Sequence, residues 1–307
     1  MTKPPSRYAI SVGMFDGVHL GHAYVLSQLT QLAANRGLRT KVYTFDEHPK
    51  GILTGQHYPL LTTPEERVEK IKQHGVSAVE VLSATPSLLR LSASDFIQSV
   101  LYPSLDGGLL LMGHDHSFGR GREGTYDHIS HLSKSSSFEV IQSEICTLST
   151  GIRPSTTLIR DALNEGDVGK AAALLGYDYS VSGIVIQGDR RGRQLGFPTA
   201  NIDVDPTSKT LPKEGVYAGL VTIKGDTKAY PAISNWGGRP TFGDNQALLE
   251  VHLLDVDENL YGETLTVTFS KRIRNIKRMS SLEALQAQLH EDAMFCRRMY
   301  ASYFVKL

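Results

Sequence analysis

Apolar positions recur along this chain in two rhythms. From Tyr8 to about residue 178, short apolar runs alternate with stretches of helical spacing. Tyr8–Gly13 predicts a first strand, Leu20–Asn35 a helix and Lys41–Phe45 a second strand. Thr63-Pro-Glu-Glu66 carries a helix N-cap, a proline at the first helical position and a capping-box glutamate, and Gly75 closes that helix. Ala78–Leu82, a helix opened by Ser92, and Gly108–Met112 continue the alternation. Strands separated by helices imply βαβ units and a parallel sheet, and such sheets bind ligands beyond the carboxyl ends of their strands. After a helix over Asp167–Leu175 and the glycine at 176, the rhythm changes. Val181–Ile186, Val216–Ile223, Leu248–Leu254 and Thr264–Phe269 read as strands divided by Gly-, Pro- and Asn-containing turns, the pattern of an antiparallel barrel or sandwich. Ser280-Ser-Leu-Glu283 predicts the capping box of a last helix, with Leu282, Leu285, Leu289, Ala293, Cys296 and Tyr300 as its packed stripe. The expected organisation is an α/β domain over residues 1–178 and an all-β domain over residues 179–307.

Composition narrows the function classes. The 307 residues are 40% hydrophobic and 21% charged, a globular profile, and 32 basic side chains balance 32 acidic ones. No net field favours nucleic acid or an anionic membrane, so phosphates must be held locally, by loops, helix ends and a few cations. Cys146 and Cys296 form no motif, and no apolar run approaches the length that spans a bilayer. A cytoplasmic enzyme is the expectation.

Two segments carry candidate chemistry. Gly13-Met-Phe-Asp-Gly-Val-His-Leu-Gly-His22 joins the first strand to the first helix. Gly13 and Gly17 permit a tight turn, and the helix start offers free N–H groups and a partial positive charge. His19 and His22, three apart, can donate to oxygens that gain charge as pyrophosphate leaves. An arbitrary His-x-x-His pair is equally a metal ligand set or two satisfied surface histidines. The second segment is Gly188-Asp-Arg-Arg-Gly-Arg-Gln-Leu-Gly-Phe-Pro-Thr-Ala-Asn201. Its glycines and arginines suit an anion-wrapping loop, and Thr199 and Asn201 are hard oxygen donors of the kind Mg²⁺ prefers.

Around the first segment lie Thr44-Phe-Asp-Glu-His-Pro49, Gly113-His-Asp-His-Ser-Phe-Gly119 and Ser155-Thr-Thr-Leu-Ile-Arg160. In this order they resemble the FMN adenylyltransferase half of the prokaryotic bifunctional riboflavin kinase/FAD synthetases. The second segment, followed by Gly215-Val-Tyr-Ala218, Ser234–Phe242, Leu249–Leu254 and Leu260-Tyr-Gly262, resembles the riboflavin kinase family. Together the resemblance spans about residues 8–300. It implies a Rossmann-like nucleotidyltransferase domain followed by a six-stranded antiparallel barrel with a terminal helix. It also implies ATP-dependent phosphorylation of riboflavin to FMN and adenylylation of FMN to FAD, with riboflavin, FMN and ATP as the molecules bound and Mg²⁺ as the metal. The residues so implied at the first site are His19 and His22 as catalytic groups, with Gly13, Phe15, Asp16, Gly17, His48, Asp115, Thr156, Thr157 and Arg160 in binding. At the second they are Glu250 as general base, Thr199 and Asn201 toward the metal, and Gly192, Arg193, Gly196 and Pro198 in the loop. The chain departs from the family pattern at Glu47, His116 and Leu158. A first domain reduced to a flavin or nucleotide sensor is therefore one alternative. A zinc hydrolase built from His19, His22, His48, His114, Asp115 and His116 is another.

Overall fold

The computed structural model describes residues 7–56, 58–188, 192, 195–205, 208–239 and 244–304, with 238, 239 and 244–247 as backbone alone. The chain forms two compact units. One is Met1–Thr156 with Thr207–Lys209; the other is Thr157–Pro206 with Thr210–Leu307. The division falls between the first and second residues of the helical pair over 156–175, which the sequence boundary at 178 groups with the first domain.

In the first unit, β1 (Tyr8–Val12), β2 (Arg39–Phe45), β3 (Ala78–Leu82), β4 (Leu109–Met112) and β5 (Glu139–Gln142) form an all-parallel sheet in the order β3-β2-β1-β4-β5. Successive strand side chains point to opposite faces, and both faces are covered. Ile10, Val12, Tyr43, Phe45, Leu110 and Met112 enter one core, while Ala9, Val42, Leu109 and Leu111 enter the other. This explains why β4 reads as an unbroken apolar run rather than an alternating one. Helix α1 (Leu20–Arg36) follows β1 and ends on Gly37 in the left-handed conformation, φ 64°. Helix α2 (Pro49–Thr54) follows β2, and α3 (Pro64–Gln73) starts with the expected capping box of Thr63 and Glu66, a local device that contributes about 1 kcal/mol. Between β3 and β4 a short helix, α4 (Pro86–Leu89), precedes the expected helix, which Ser92 caps and which runs without a break through α5 (Ala93–Phe96) to α6 (Tyr102–Leu105). A π-turn at Ile97–Leu101 joins the last two. Helix α7 (Tyr126–Ser133) precedes β5.

The second unit opens with α8 (Thr156–Glu165) and α9 (Val168–Leu175), the latter closed by Gly176 at φ 85°. Strands β6 (Tyr179–Ile186), β7 (Ala200–Asp203), β8 (Gly215–Ile223), β9 (Ala229–Arg239), β10 (Asp244–Leu253) and β11 (Thr264–Phe269) follow in the order β11-β6-β7-β10-β9-β8. The additional β11–β8 pairing closes six strands into an antiparallel barrel. A seventh strand, β12 (Lys271–Arg274), extends the sheet beyond β8. Strands β7 and β9 escape the periodicity because Ala-Asn-Ile-Asp is short and mixed and β9 contains Pro231. The long C-terminal helix, α10 (Leu282–Met299), is capped by Ser281, which accepts from the Ala284 N–H, and a single short helical turn over Ala301–Phe304 follows it. This corrects the expected box at Ser280: the helix starts one residue later, so Glu283 falls before the third helical position. Cys296 and Asp292 are buried on α10, whereas Leu282 is 52% exposed and does not belong to the packed stripe.

Candidate active sites

Strand order reverses between β1 and β4, and the loops leaving their carboxyl ends diverge to leave a crevice, the place where doubly wound sheets take ligands. A pocket of about 420 Å³ lies there. Of the residues singled out by sequence, it gathers Gly13, Phe15, Asp16, His19, His22, His48, Asp115 and Thr156. Gly17 shapes the loop without lining the pocket. Thr157 and Arg160 belong to the second unit and are not among the lining residues.

The loop after β1 is strained. Phe15 (φ 48°), Gly17 (φ 74°) and Val18 (φ 37°) all adopt left-handed backbone, which costs a non-glycine residue about 1–3 kcal/mol and needs outside support. Support comes from Asp16, whose buried carboxylate accepts from Leu61 N–H (2.9 Å), Thr62 N–H (3.0 Å) and the Thr62 hydroxyl (3.2 Å). Thr62 Oγ1 in turn accepts from Gly17 N–H at 3.0 Å. Beneath this knot lies Arg67, fully buried, donating to Thr62 O (3.0 Å), Phe45 O (2.5 Å) and Thr44 Oγ1 (3.3 Å). Thr44 closes the ring by donating to Met14 O at 2.8 Å. Sequence reasoning read residues 63–66 as a cap and missed Arg67 and Thr62. The available signal was Arg67 standing four residues before Ile71, on the buried side of α3.

His19 is the N-cap of α1. Its Nδ1 accepts from the Gly21 (3.1 Å) and His22 (3.3 Å) N–H groups, which leaves the proton of the neutral ring on Nε2. Any side chain at Gly21 would press on that ring, with a Cβ 3.0 Å from its Cε1. The His19 and His22 rings stack with centroids 3.7 Å apart. Burial pushes His19 down to about 4 against the opposing pull of Asp16. Burial, then the proximity of His19, Arg67 and His116, holds His22 well below its ordinary value. His116 falls to about 4 through burial and then the charge of Arg122. All three are neutral at pH 7. His22 Nδ1 and His116 Nε2 are shielded from solvent with no hydrogen-bond partner among the described residues, and both residues line the pocket. His48 caps α2, accepting from Lys50 N–H at 3.1 Å, and packs on Tyr58 with centroids 4.0 Å apart. Among the described residues, no group of three or more His, Cys, Asp or Glu side chains is disposed to hold a metal ion, so the zinc arrangement has no structural counterpart.

In the barrel, strand register makes the second site. Glu250 stands opposite Asn201 on one side and Asn235 on the other, so the three share a face; Leu249 and Val251, on the other face, are buried. Asn201 is 6% exposed. A Cβ on Gly188 would fall 1.6 Å from its carboxamide nitrogen, and one on Gly192 would reach 2.3 Å from Phe197 O and 3.2 Å from Thr199 Oγ1. The backbone therefore folds onto these oxygen donors in a cradle that only glycine permits. His252 Nδ1 donates to Pro198 O at 2.7 Å and Phe197 packs edge-on against both His252 and His290, which fixes the Phe-Pro-Thr turn. Gly196 adopts φ 79°. A pocket of about 420 Å³ opens beside Pro198 and Thr199, bounded by Val185, Leu253 and the 256–261 loop. Arg193 lies outside the described residues. His252 was passed over by sequence reasoning, although it follows Glu250 at the strand period.

A parallel-sheet crevice with a helix-capping histidine pair, followed by a closed barrel with a glycine cradle, defines a two-unit phosphate-transferring protein. Residues 1–157 match the FAD synthetase family model and residues 175–300 the riboflavin kinase model. The chain is 36% identical over 295 residues to the bifunctional riboflavin kinase/FMN adenylyltransferase of Listeria monocytogenes, covering 95% of this chain and 92% of the relative. It is 34% identical to that of Escherichia coli K12, covering 97% and 94%. A solved chain from Streptococcus pneumoniae, described as a macrolide-efflux protein, superposes with a TM-score of 0.84 at 30% identity, covering 97% of this chain and 95% of that one. In this chain, no helix of the described residues is long and apolar enough to cross a membrane. The chain belongs to the bifunctional riboflavin kinase/FMN adenylyltransferase family.

Proposed function

We propose that the barrel phosphorylates riboflavin with ATP and that the pocket of the first unit joins the product, FMN, to AMP. The observation that carries the second step is the neutral histidine pair at the start of α1, opening on the crevice between β1 and β4. In that step an oxygen of the FMN phosphate attacks the α-phosphorus of ATP, a P–O–P bond forms, and the bond to pyrophosphate breaks. There is little covalent work for the protein, so positioning and charge stabilisation supply the rate. His19, with its proton held on Nε2 by its capping role, donates to the oxygens that gain charge. His22 Nδ1 and His116 Nε2 acquire in the ligand the partners they lack in the protein, which removes a cost of about 1–3 kcal/mol per buried polar atom. Gly13, Phe15 and Asp16 form the loop wall with Gly17 shaping its turn, His48, Asp115 and Thr156 flank it, and the family resemblance adds Thr157 and Arg160 toward the outer phosphates.

In the kinase step Glu250 accepts the proton of the ribityl 5′-hydroxyl as its oxygen attacks the γ-phosphorus and ADP leaves. Thr199 and Asn201, a hydroxyl and a carboxamide against the glycine cradle, fit Mg²⁺, which supplies charge neutralisation of the ATP phosphates when bound. Gly192, Gly196 and Pro198 shape the loop beside those phosphates, and the family resemblance adds Arg193, which lies outside the described residues. The test is a chromatographic assay of the purified protein with riboflavin, ATP and Mg²⁺, following FMN and FAD separately. Sequential appearance of both products is expected. FMN without FAD would identify the first unit as a sensor rather than a transferase.

A further inference from the structure

Glu66 performs two tasks in the first unit. Its carboxylate accepts from Thr63 N–H at 3.1 Å, closing the capping box of α3. The same carboxylate holds the ammonium of Lys209, with Nζ 2.7 Å from Oε1 and 2.5 Å from Oε2. Lys209 is numbered between β7 and β8, inside the stretch that matches the riboflavin kinase model, yet it belongs to the first compact unit. Its side chain is 9% exposed. Beside it, Ser208 O accepts from Leu60 N–H at 3.1 Å, and Leu60 and Lys209 pair as an isolated parallel bridge.

The consequence lies one residue further along. Leu61 and Thr62, which follow Leu60, are the donors that hold Asp16, and Thr62 holds Gly17. A continuous set of hydrogen bonds therefore runs from Lys209 through the 60–63 segment to the strained loop at the pocket. Taking an ammonium out of water is costly, and a well-packed apolar pair would stabilise the fold as well or better. What the charged pair adds is geometric: a bidentate contact fixes where the segment carrying Leu61 and Thr62 sits.

We propose that Lys209 is a positioning residue for adenylyl transfer, supplied to the first unit by chain that belongs by sequence to the kinase family match. The inference rests on the reading of the histidine pocket as the site of AMP transfer. In the intact protein, Lys209→Met keeps the stem and removes the charge. Glu66→Gln removes the opposite charge while retaining a capping-box acceptor. Each is expected to lower kcat for FAD formation from supplied FMN by about ten- to a hundredfold, the scale of a misplaced catalytic loop. Riboflavin phosphorylation by the same preparations should stay within about twofold, and the double variant should lose no more than the worse single one. His22→Ala, assayed alongside, separates the two claims. If His22→Ala loses FAD formation while Lys209→Met and Glu66→Gln keep it, the role of Lys209 is overturned and the pocket stands. If His22→Ala keeps it, the pocket reading fails and the proposal with it. Parallel loss of both activities, or a change in KM for FMN with kcat intact, assigns Lys209 to stability or binding and equally overturns the proposal.

Discussion

The histidine pocket and the barrel site are built in opposite ways. The pocket is made of loops: three left-handed residues in a row of four, braced from below by an acid, a threonine and a buried arginine. The barrel site is made of register, with Asn201, Glu250 and Asn235 brought level by three paired strands. The first arrangement spends buried hydrogen bonds to hold an unfavourable backbone. The second needs little strain, because alternate residues of a strand already share a face. One site should therefore fail when its bracing is cut, the other only when a reacting group or its cradle is altered.

Single substitutions can break this contrast. The largest effect should come from Glu250→Gln, which removes the proposed proton acceptor and keeps a side chain of the same size at that register position. FMN formation should fall by about 10²- to 10⁴-fold, while FAD formation from supplied FMN persists. Retained kinase activity would remove Glu250 from its role. His22→Ala should lower FAD formation by about 10²- to 10³-fold and spare the kinase, measured by the same separation of products. Arg67→Ala removes the donors to the carbonyls of Thr62 and Phe45. A loss of about 3 kcal/mol is expected in urea unfolding of the first unit, and an unchanged midpoint would show the bracing to be dispensable.

The contrast also has a pH dependence. Below about pH 6.5 the unfolded chain binds protons at His19 and His116 that the folded chain refuses until about pH 4. The stability these groups contribute is whole above pH 6.5 and lost as pH falls through that window. His116→Phe should flatten the decline in thermal midpoint between pH 6.5 and 4; an unaltered slope would mean that His116 already titrates normally. The smallest effect belongs to Leu282→Ser. Because that leucine is 52% exposed, its loss should change stability by no more than about 0.5 kcal/mol.

That last substitution also marks where periodicity misleads. Helical spacing predicted Leu282 as core, but capping by Ser281 starts the helix one residue later and leaves Leu282 in its exposed first turn. Elsewhere the local code was legible. The Thr63 box, the Gly176 stop and strands such as Ala78–Leu82 follow from chemistry that acts within a few residues. The residues visible in sequence at the pocket were those carried on its own loops. The partners that brace it, Thr62, Arg67 and Lys209, were not, because Asp16 meets Thr62, and Glu66 meets Lys209, across separations that no spacing rule spans. Strand β7 was similarly hidden: its four residues become a strand only between β6 and β10.

Synthesis proceeds from the amino end, and the brace at Lys209 has a place in that order. All five strands of the parallel sheet have been made once Gln142 is incorporated, and the sheet requires nothing later to pair. Lys209 follows after a further stretch of chain, a delay of several seconds at about 5–20 residues per second. During that interval the nascent unit carries its histidines but not the ammonium that clasps Glu66. Nor can the barrel close before β11 emerges to join β6 and β8. A ribosome-bound chain thus passes through a stage in which every strand of the sheet has been made while the loop at the histidine pocket lacks its clasp, which arrives only with the stretch that matches the riboflavin kinase model.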